Sequence, residues 1–121
     1  MQAINVAVLN PLFLAIFSGT ALACLGSILL ALARWRAPGA AYLLAGGVLY
    51  LAGVVLVTVL FNVPRNDALG ALDPAAAGSV SAWRGYVTGW TAWNHVRTVA
   101  ASAATGSFVL AFSHLRGLAA A

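Results

Sequence analysis

A chain of 121 residues that is 63% hydrophobic and 7% charged is not built for water, since about a quarter of a soluble domain is charged. Its net charge is +4 with only two acids. The arginines flank apolar runs and never cluster, so they read as topological charge and exclude a nucleic-acid partner. Three stretches of about 20 apolar residues fit this length and a fourth does not. The prediction is one all-α integral-membrane domain over 1–121, a bundle of three transmembrane helices whose partner is the lipid bilayer.

The first predicted span covers 11–33. Asn10 can cap its free amides, and Pro11 suits the first helical position. Ala15, Gly19 and Ala23 recur every four residues, and small residues at that spacing let another helix come close. Cys24 is the sole cysteine and reads as a small packing residue. Met1 to Leu9 has no lysine or arginine, which argues against a signal peptide. Arg34 and Arg36 close the span. Pro38 and Gly39 make a short turn, so the next helix runs antiparallel beside the first.

The second span is predicted over 40–63. Gly46, Gly47 and Gly53 thin it, and Pro64 is expected to stop it, because proline disfavours helix in the residue before it. A polar segment over 64–80 follows, a loop over the membrane that could include a short surface helix, carrying both acids, Asp67 and Asp73. Asp73-Pro74 is a second cap-plus-proline signal. The third helix, 81–115, would be roughly 50 Å long, against about 30 Å of hydrocarbon. Its aromatic end, 83–97, therefore lies at or beyond the interface. Arg34, Arg36 and Arg116 fall on one side without acids, while Arg65 and Arg84 share the other with Asp67 and Asp73. The positive-inside rule puts the 34–39 turn in the cytoplasm and the 64–80 loop outside.

Two polar blocks abut these spans, Asn62-Val63-Pro64-Arg65-Asn66-Asp67 and Trp90-Thr91-Ala92-Trp93-Asn94-His95-Val96-Arg97. Polar groups near lipid are costly unless paired, so they are functional candidates. Trp83, Tyr86, Trp90, Asn94 and Arg97 are three or four residues apart and form one helical stripe. The stripe could line a pocket for a flat aromatic ligand, with Asn94 and Arg97 binding an oxygen. It could equally be an interfacial aromatic belt. Trp93, Asn62 and Asn66 are further candidate ligand contacts. His95 could act as a general base, its unperturbed pKa being about 6.5, or could be a solvated histidine. Asp67 is the other candidate base, or else a bidentate partner of Arg97 or Arg65. Pairing of Arg97 within the 62–67 block is expected. His95 and His114 are nineteen residues apart and no HExxH, CxxC or CxxCH pattern occurs, so no metal site is expected.

At these blocks the chain resembles the anthrone oxygenase-like family of small integral-membrane proteins. The resemblance rests on Asn62 to Asp67, on Trp83 and on Trp90 to Thr98. The Met1-Gln2-Ala3-Ile4-Asn5 start and Asn10-Pro11 support it, and it covers most of the chain. It implies a four-helix membrane fold that lacks, here, the helix preceding the Met1–Asn5 segment. An upstream segment or a partner, such as a second copy in a homo-oligomer, would supply that helix. The fungal namesakes of the family oxidise anthrones to anthraquinones with dioxygen and no bound cofactor. Carried over, His95 or Asp67 would take a proton from an anthrone-like substrate, and Arg97 and Asn94 would hold the enolate oxygen. No cofactor is then expected, and the bacterial cytoplasmic membrane is the expected location. Two readings stand beside this one. The polar cluster could merely lock helix ends together, or it could bind quinones and other lipophilic aromatics without reacting.

Overall fold

The computed structural model of the chain describes residues 10–73, 75 and 78–119, with side chains at all of these except Ser79 and 116–119. The Met1–Asn5 start, Pro74 and the side chain of Arg116 lie outside the described residues.

Helix α1 spans Pro11–Ala33. Asn10 starts it as expected, its side-chain oxygen accepting the Phe13 amide at 2.9 Å. Such a cap contributes about 1 kcal/mol. The helix closes where the Arg34 amide donates to the Leu30 carbonyl at 2.9 Å. The chain then reverses at Gly39, at φ 82°. A Cβ there would sit 2.9 Å from the Ala111 carbonyl oxygen, so backbone and packing both call for glycine.

Helix α2 (Ala40–Tyr50) continues through two π-helical stretches, Leu51–Leu56 and Thr58–Asn62, into α3 (Val63–Gly70). The stop expected at Pro64 does not occur, and the composite helix runs for 31 residues, Ala40–Gly70. Part of the 64–80 segment therefore continues the span. Pro64 follows directly on the second π-helical stretch and removes one amide donor from a helix that continues through it. The Arg65 guanidinium adds a donor nearby, Nη1 bonding the Phe61 carbonyl oxygen at 2.7 Å. The π-helical region is rich in β-branched side chains, including Val54, Val55, Val57, Thr58 and Val59, which crowd a regular α-turn. Thr58 Oγ1 donates back to the Val54 carbonyl at 2.6 Å, a bond that bends helices.

Helix α4 (Ser79–Ala119) has 41 residues and is about 60 Å long by α-helical rise. Its N-terminal end projects beside α3. Three helices, Pro11–Ala33, Ala40–Gly70 and Val80–Leu115, are long and apolar enough to cross a membrane. Among the described residues there is no strand, so the fold is the all-α membrane bundle that the composition predicts.

The composite helix is the middle one, with α1 and α4 both packed against it. Adjacent glycines serve the two neighbours. A Cβ at Gly47 would meet Ile28 Cγ1 at 2.6 Å and the Cys24 carbonyl at 2.9 Å, both on α1. A Cβ at Gly46 would meet the Phe108 ring at 2.9 Å, and one at Gly53 would overlap Ala100, both on α4. The buried positions are mostly small, among them Cys24, Ala31, Ala40, Ala100, Ala104 and Ala111. Leu12, Leu22, Val99 and Val109 point outward. This inversion suits lipid, where close backbone approach drives association. Cys24, at 4% exposure, is the packing residue expected. The Ala15–Gly19–Ala23 face is not the contact face of α1. All three residues are exposed, and a Cβ on Gly19 would meet nothing within 4 Å.

The glycine contacts make a testable contrast. Gly53→Leu drives a side chain into the backbone and Cβ of Ala100 and should destabilise the bundle by about 1–3 kcal/mol. Gly19→Leu gains the same helix propensity in open space and should not. Thermal unfolding in detergent, followed by circular dichroism, reads both, and equal midpoints would contradict the packing described.

Candidate functional site

The face that α4 turns toward the middle helix is a stripe of Tyr86, Gly89, Trp93, Arg97, Ala100, Ala104 and Phe108, spaced by three or four residues. Four contacts across the seam set an antiparallel register. Tyr86 Oη donates to Asn66 Oδ1 at 2.8 Å. The Arg65 side chain lies over Gly89, where a Cβ would be 3.0 Å from its Nε. Phe61 stacks on Trp93 with ring centroids 3.7 Å apart and planes 10° from parallel. Gly53 abuts Ala100.

Two polar groups inside this frame have no partner. Asn62, next to Phe61, is 2% exposed, and neither its Nδ2 nor its Oδ1 makes a hydrogen bond. Arg97 lies between Trp93 and Ala100 on the stripe, and its Nε is buried and likewise unbonded. A buried amide without partners costs about 1–3 kcal/mol. An asparagine side chain offers two donors and two acceptor lone pairs, so this one is free both to give and to receive.

The π-helical turns bring Asn62 into the seam. Val57 is buried, and so is Asn62 five residues later. On a regular α-helix a five-residue step turns about 140° away. The i→i+5 spacing of a π-helix keeps both on one side.

The aromatic stripe forms a ladder at the projecting end. Trp83 and Tyr86 pack at 5.7 Å and Tyr86 and Trp90 at 6.4 Å, with planes within 22° and 25° of parallel. Tyr86 is 8% exposed, whereas Trp83 is 43% exposed. Trp90, Trp93, Asn94 and Asn66 are half-buried. Phe61 and Arg65 are site residues that sequence reasoning missed. Phe61 reads as one more lipid-facing residue of an apolar run, and only its position beside Asn62 hints otherwise.

The expected pairing of Arg97 does not form. Asp67 is exposed, and among the described residues Arg97 is bonded to no carboxylate. The register explains this. Asn66 meets Tyr86, so its neighbour Asp67 sits eleven α4 residues from Arg97, about 16 Å of helix rise. His95 is exposed and lies about 200° around α4 from Trp93. The seam thus holds Asn62 near Trp93 and Arg97 four residues, about 6 Å of rise, further along, with Asn94 and Trp90 at its flank, and leaves His95 and Asp67 outside. Among the described residues no three His, Cys, Asp or Glu side chains come together.

Three apolar helices around a polar seam describe an integral membrane protein. The family model for anthrone oxygenase matches residues 11–107, a stretch that takes in both polar blocks, and the chain belongs to the anthrone oxygenase family. No curated protein and no solved structure matches it.

If the Asn62 amide is kept for a ligand, Asn62→Leu should raise the stability of the ligand-free protein by about 1–2 kcal/mol, because it removes an unpaired buried amide and keeps the number of side-chain heavy atoms. Chemical unfolding in detergent micelles checks this. A loss of stability would mean that the amide is bonded in the folded protein.

Proposed function

We propose that the chain takes a flat, lipophilic aromatic molecule from the bilayer, holds its oxygen at Asn62 and Arg97, and supports oxygenation of anthrone-like polycyclic aromatics without a cofactor. The unpartnered amide of Asn62 in a seam walled by the Phe61–Trp93 stack is the observation that supports this most. Family membership supplies the reaction class. In a dry seam, donors aimed at an oxygen that gains negative charge stabilise it far more than water would. Asn62 Nδ2 and the Arg97 guanidinium are such donors, and Asn94 stands at the flank to assist. Rings stacked along Trp90 and Trp93 would gain about 0.5–1.5 kcal/mol per aromatic pair beyond area burial.

The chemistry asked of the protein is to favour the enolate. A base removes one proton from the ring methylene, and the negative charge moves to the oxygen held by Asn62 and Arg97. The electron-rich enolate passes electrons to dioxygen. The methylene carbon finally loses both hydrogens and gains one oxygen atom, and the other oxygen atom leaves with those hydrogens as water. Asp67 and His95 are the two candidate bases. Asp67 lies five residues beyond Asn62 on the same composite helix and is exposed, so like His95 it stands outside the seam and would take the proton only at the seam's open rim.

The test is turnover in lipid nanodiscs. A hydroxylated anthrone under oxygen should give the anthraquinone faster than with empty nanodiscs, and labelled dioxygen should appear in the new carbonyl. Asn62→Leu and Arg97→Leu should each lower the rate about a hundredfold. Binding that depends on Asn62 without turnover would assign a carrier role. Neither binding nor turnover would leave the cluster a structural lock.

We also propose a bacterial cytoplasmic membrane as its place, with the 34–39 turn inside and the segment after Gly70 outside. The support is the arginine asymmetry between the two ends of the bundle. Cysteine at position 36 should then be labelled by a membrane-impermeant maleimide only after the cells are opened. Labelling of intact cells would reverse the topology.

A further inference from the structure

At the end of the bundle away from the polar seam, the 34–39 turn and the last turns of α4 enclose a half-open hollow of about 180 Å³. Its walls are apolar, formed by Leu30 and Ala31 of α1, Leu43 of α2, and Ala111 and Leu115 of α4. Pockets for drug-sized ligands measure about 300–1,000 Å³, so this one suits a narrow chain and not a ring system. Arg34 lines it, and Arg36 follows two residues later, both exposed. The chain's two acids lie at the far end of the second span, Asp67 in its last turn and Asp73 after it. An apolar slot under arginines with no acid beside them complements one class of molecule that a bilayer supplies, an amphiphile with an anionic head and an acyl tail.

We propose that this hollow binds an anionic phospholipid, its phosphate against Arg34 and Arg36 and part of one acyl chain inside. Its walls are braced. Gly39 packs against Ala111 so closely that a Cβ would meet the carbonyl at 2.9 Å. Tyr42 stacks on His114 with centroids 5.3 Å apart and planes 12° from parallel. Both contacts hold the turn to α4, so the hollow does not have to form when the lipid arrives. The site is separate from the seam and stands whether or not the seam is catalytic.

Native mass spectrometry of the full chain, released from micelles with equal amounts of phosphatidylglycerol and phosphatidylcholine of identical tails, tests the assignment. The unmodified chain should retain phosphatidylglycerol about tenfold more than phosphatidylcholine. Arg34→Gln with Arg36→Gln should abolish that preference. Ala37→Leu, which fills the rim and keeps both arginines, should lower retention of either lipid. Arg84→Gln, at the opposite end, should change nothing. Equal retention of the two lipids by the unmodified chain would overturn the proposal. A preference that survives the double substitution, or falls equally with Arg84→Gln, would overturn the location. If the double variant does not fold, the unmodified chain and Ala37→Leu still decide between these outcomes.

Discussion

A methyl group on Gly53 would overlap Ala100, and this near contact governs how the middle helix lies on α4. In lipid the hydrophobic effect does not pull helices together, because the tails are as apolar as the side chains. Association rests on close packing and a few hydrogen bonds between helices. Gly46 and Gly53 supply the close approach, and the Tyr86–Asn66 bond supplies one such link. With both ends pinned, every residue between them has a set height along the seam. Phe61 meets Trp93, Arg65 crosses Gly89, and Asn62 is closed off from solvent. Loosening the glycine contacts would wet the seam and let water satisfy the Asn62 amide.

That tightness has a cost, which falls on Asn62. A leucine, with the same number of side-chain heavy atoms, would fill the position without an unmet donor or acceptor. A polar residue in a dry membrane seam works against folding, and the proposed function gives it a ligand to bind. Arg97 shows the same tension in a milder form. Its Nε is buried and unbonded, but the side chain is only half-buried. The two residues put donors on facing helices of one seam, so an oxygen held by both, as proposed, would link the helices that the glycines align.

Much of this architecture was legible in the residues, and the parts that were not have definite causes. The three spans, the Asn10 cap, the turn at Gly39 and the packing role of Cys24 follow from composition and local chemistry, which act over a few residues. The aromatic stripe on α4 was legible for the same reason, since spacing alone puts Trp83, Tyr86 and Trp90 on one face. The end of the second helix was misread because Pro64 normally stops a helix. Here it follows directly on the second π-helical stretch, and the helix continues through it with one amide donor fewer. The Arg97–Asp67 pairing failed for a related reason. Chain proximity of the two polar blocks says nothing about register, and once the helix runs on past Pro64, Asp67 rises to the level of Tyr86. Phe61 was invisible because a phenylalanine in an apolar run has no signal of its own.

The π-helical turns bear on why the site is where it is. Val54 is buried within the first π-helical stretch, Val57 between the two, Asn62 at the end of the second and Leu69 in α3. The seven-residue step from Asn62 to Leu69 holds one face of an ordinary α-helix. The five-residue step from Val57 to Asn62 does so only in the wider turn. Had the helix stayed regular, Phe61 would hold the seam position and Asn62 would turn toward the side. In the widened turn both neighbours contribute. Phe61 lies flat on Trp93 as a wall, and Asn62 reaches into the seam as the polar group. A π-helix makes one fewer well-aligned hydrogen bond than an α-helix of equal length and is rare for that reason. Its use here gives the chain an aromatic surface and an amide at adjacent positions, both facing α4, which an unbroken α-helix cannot offer.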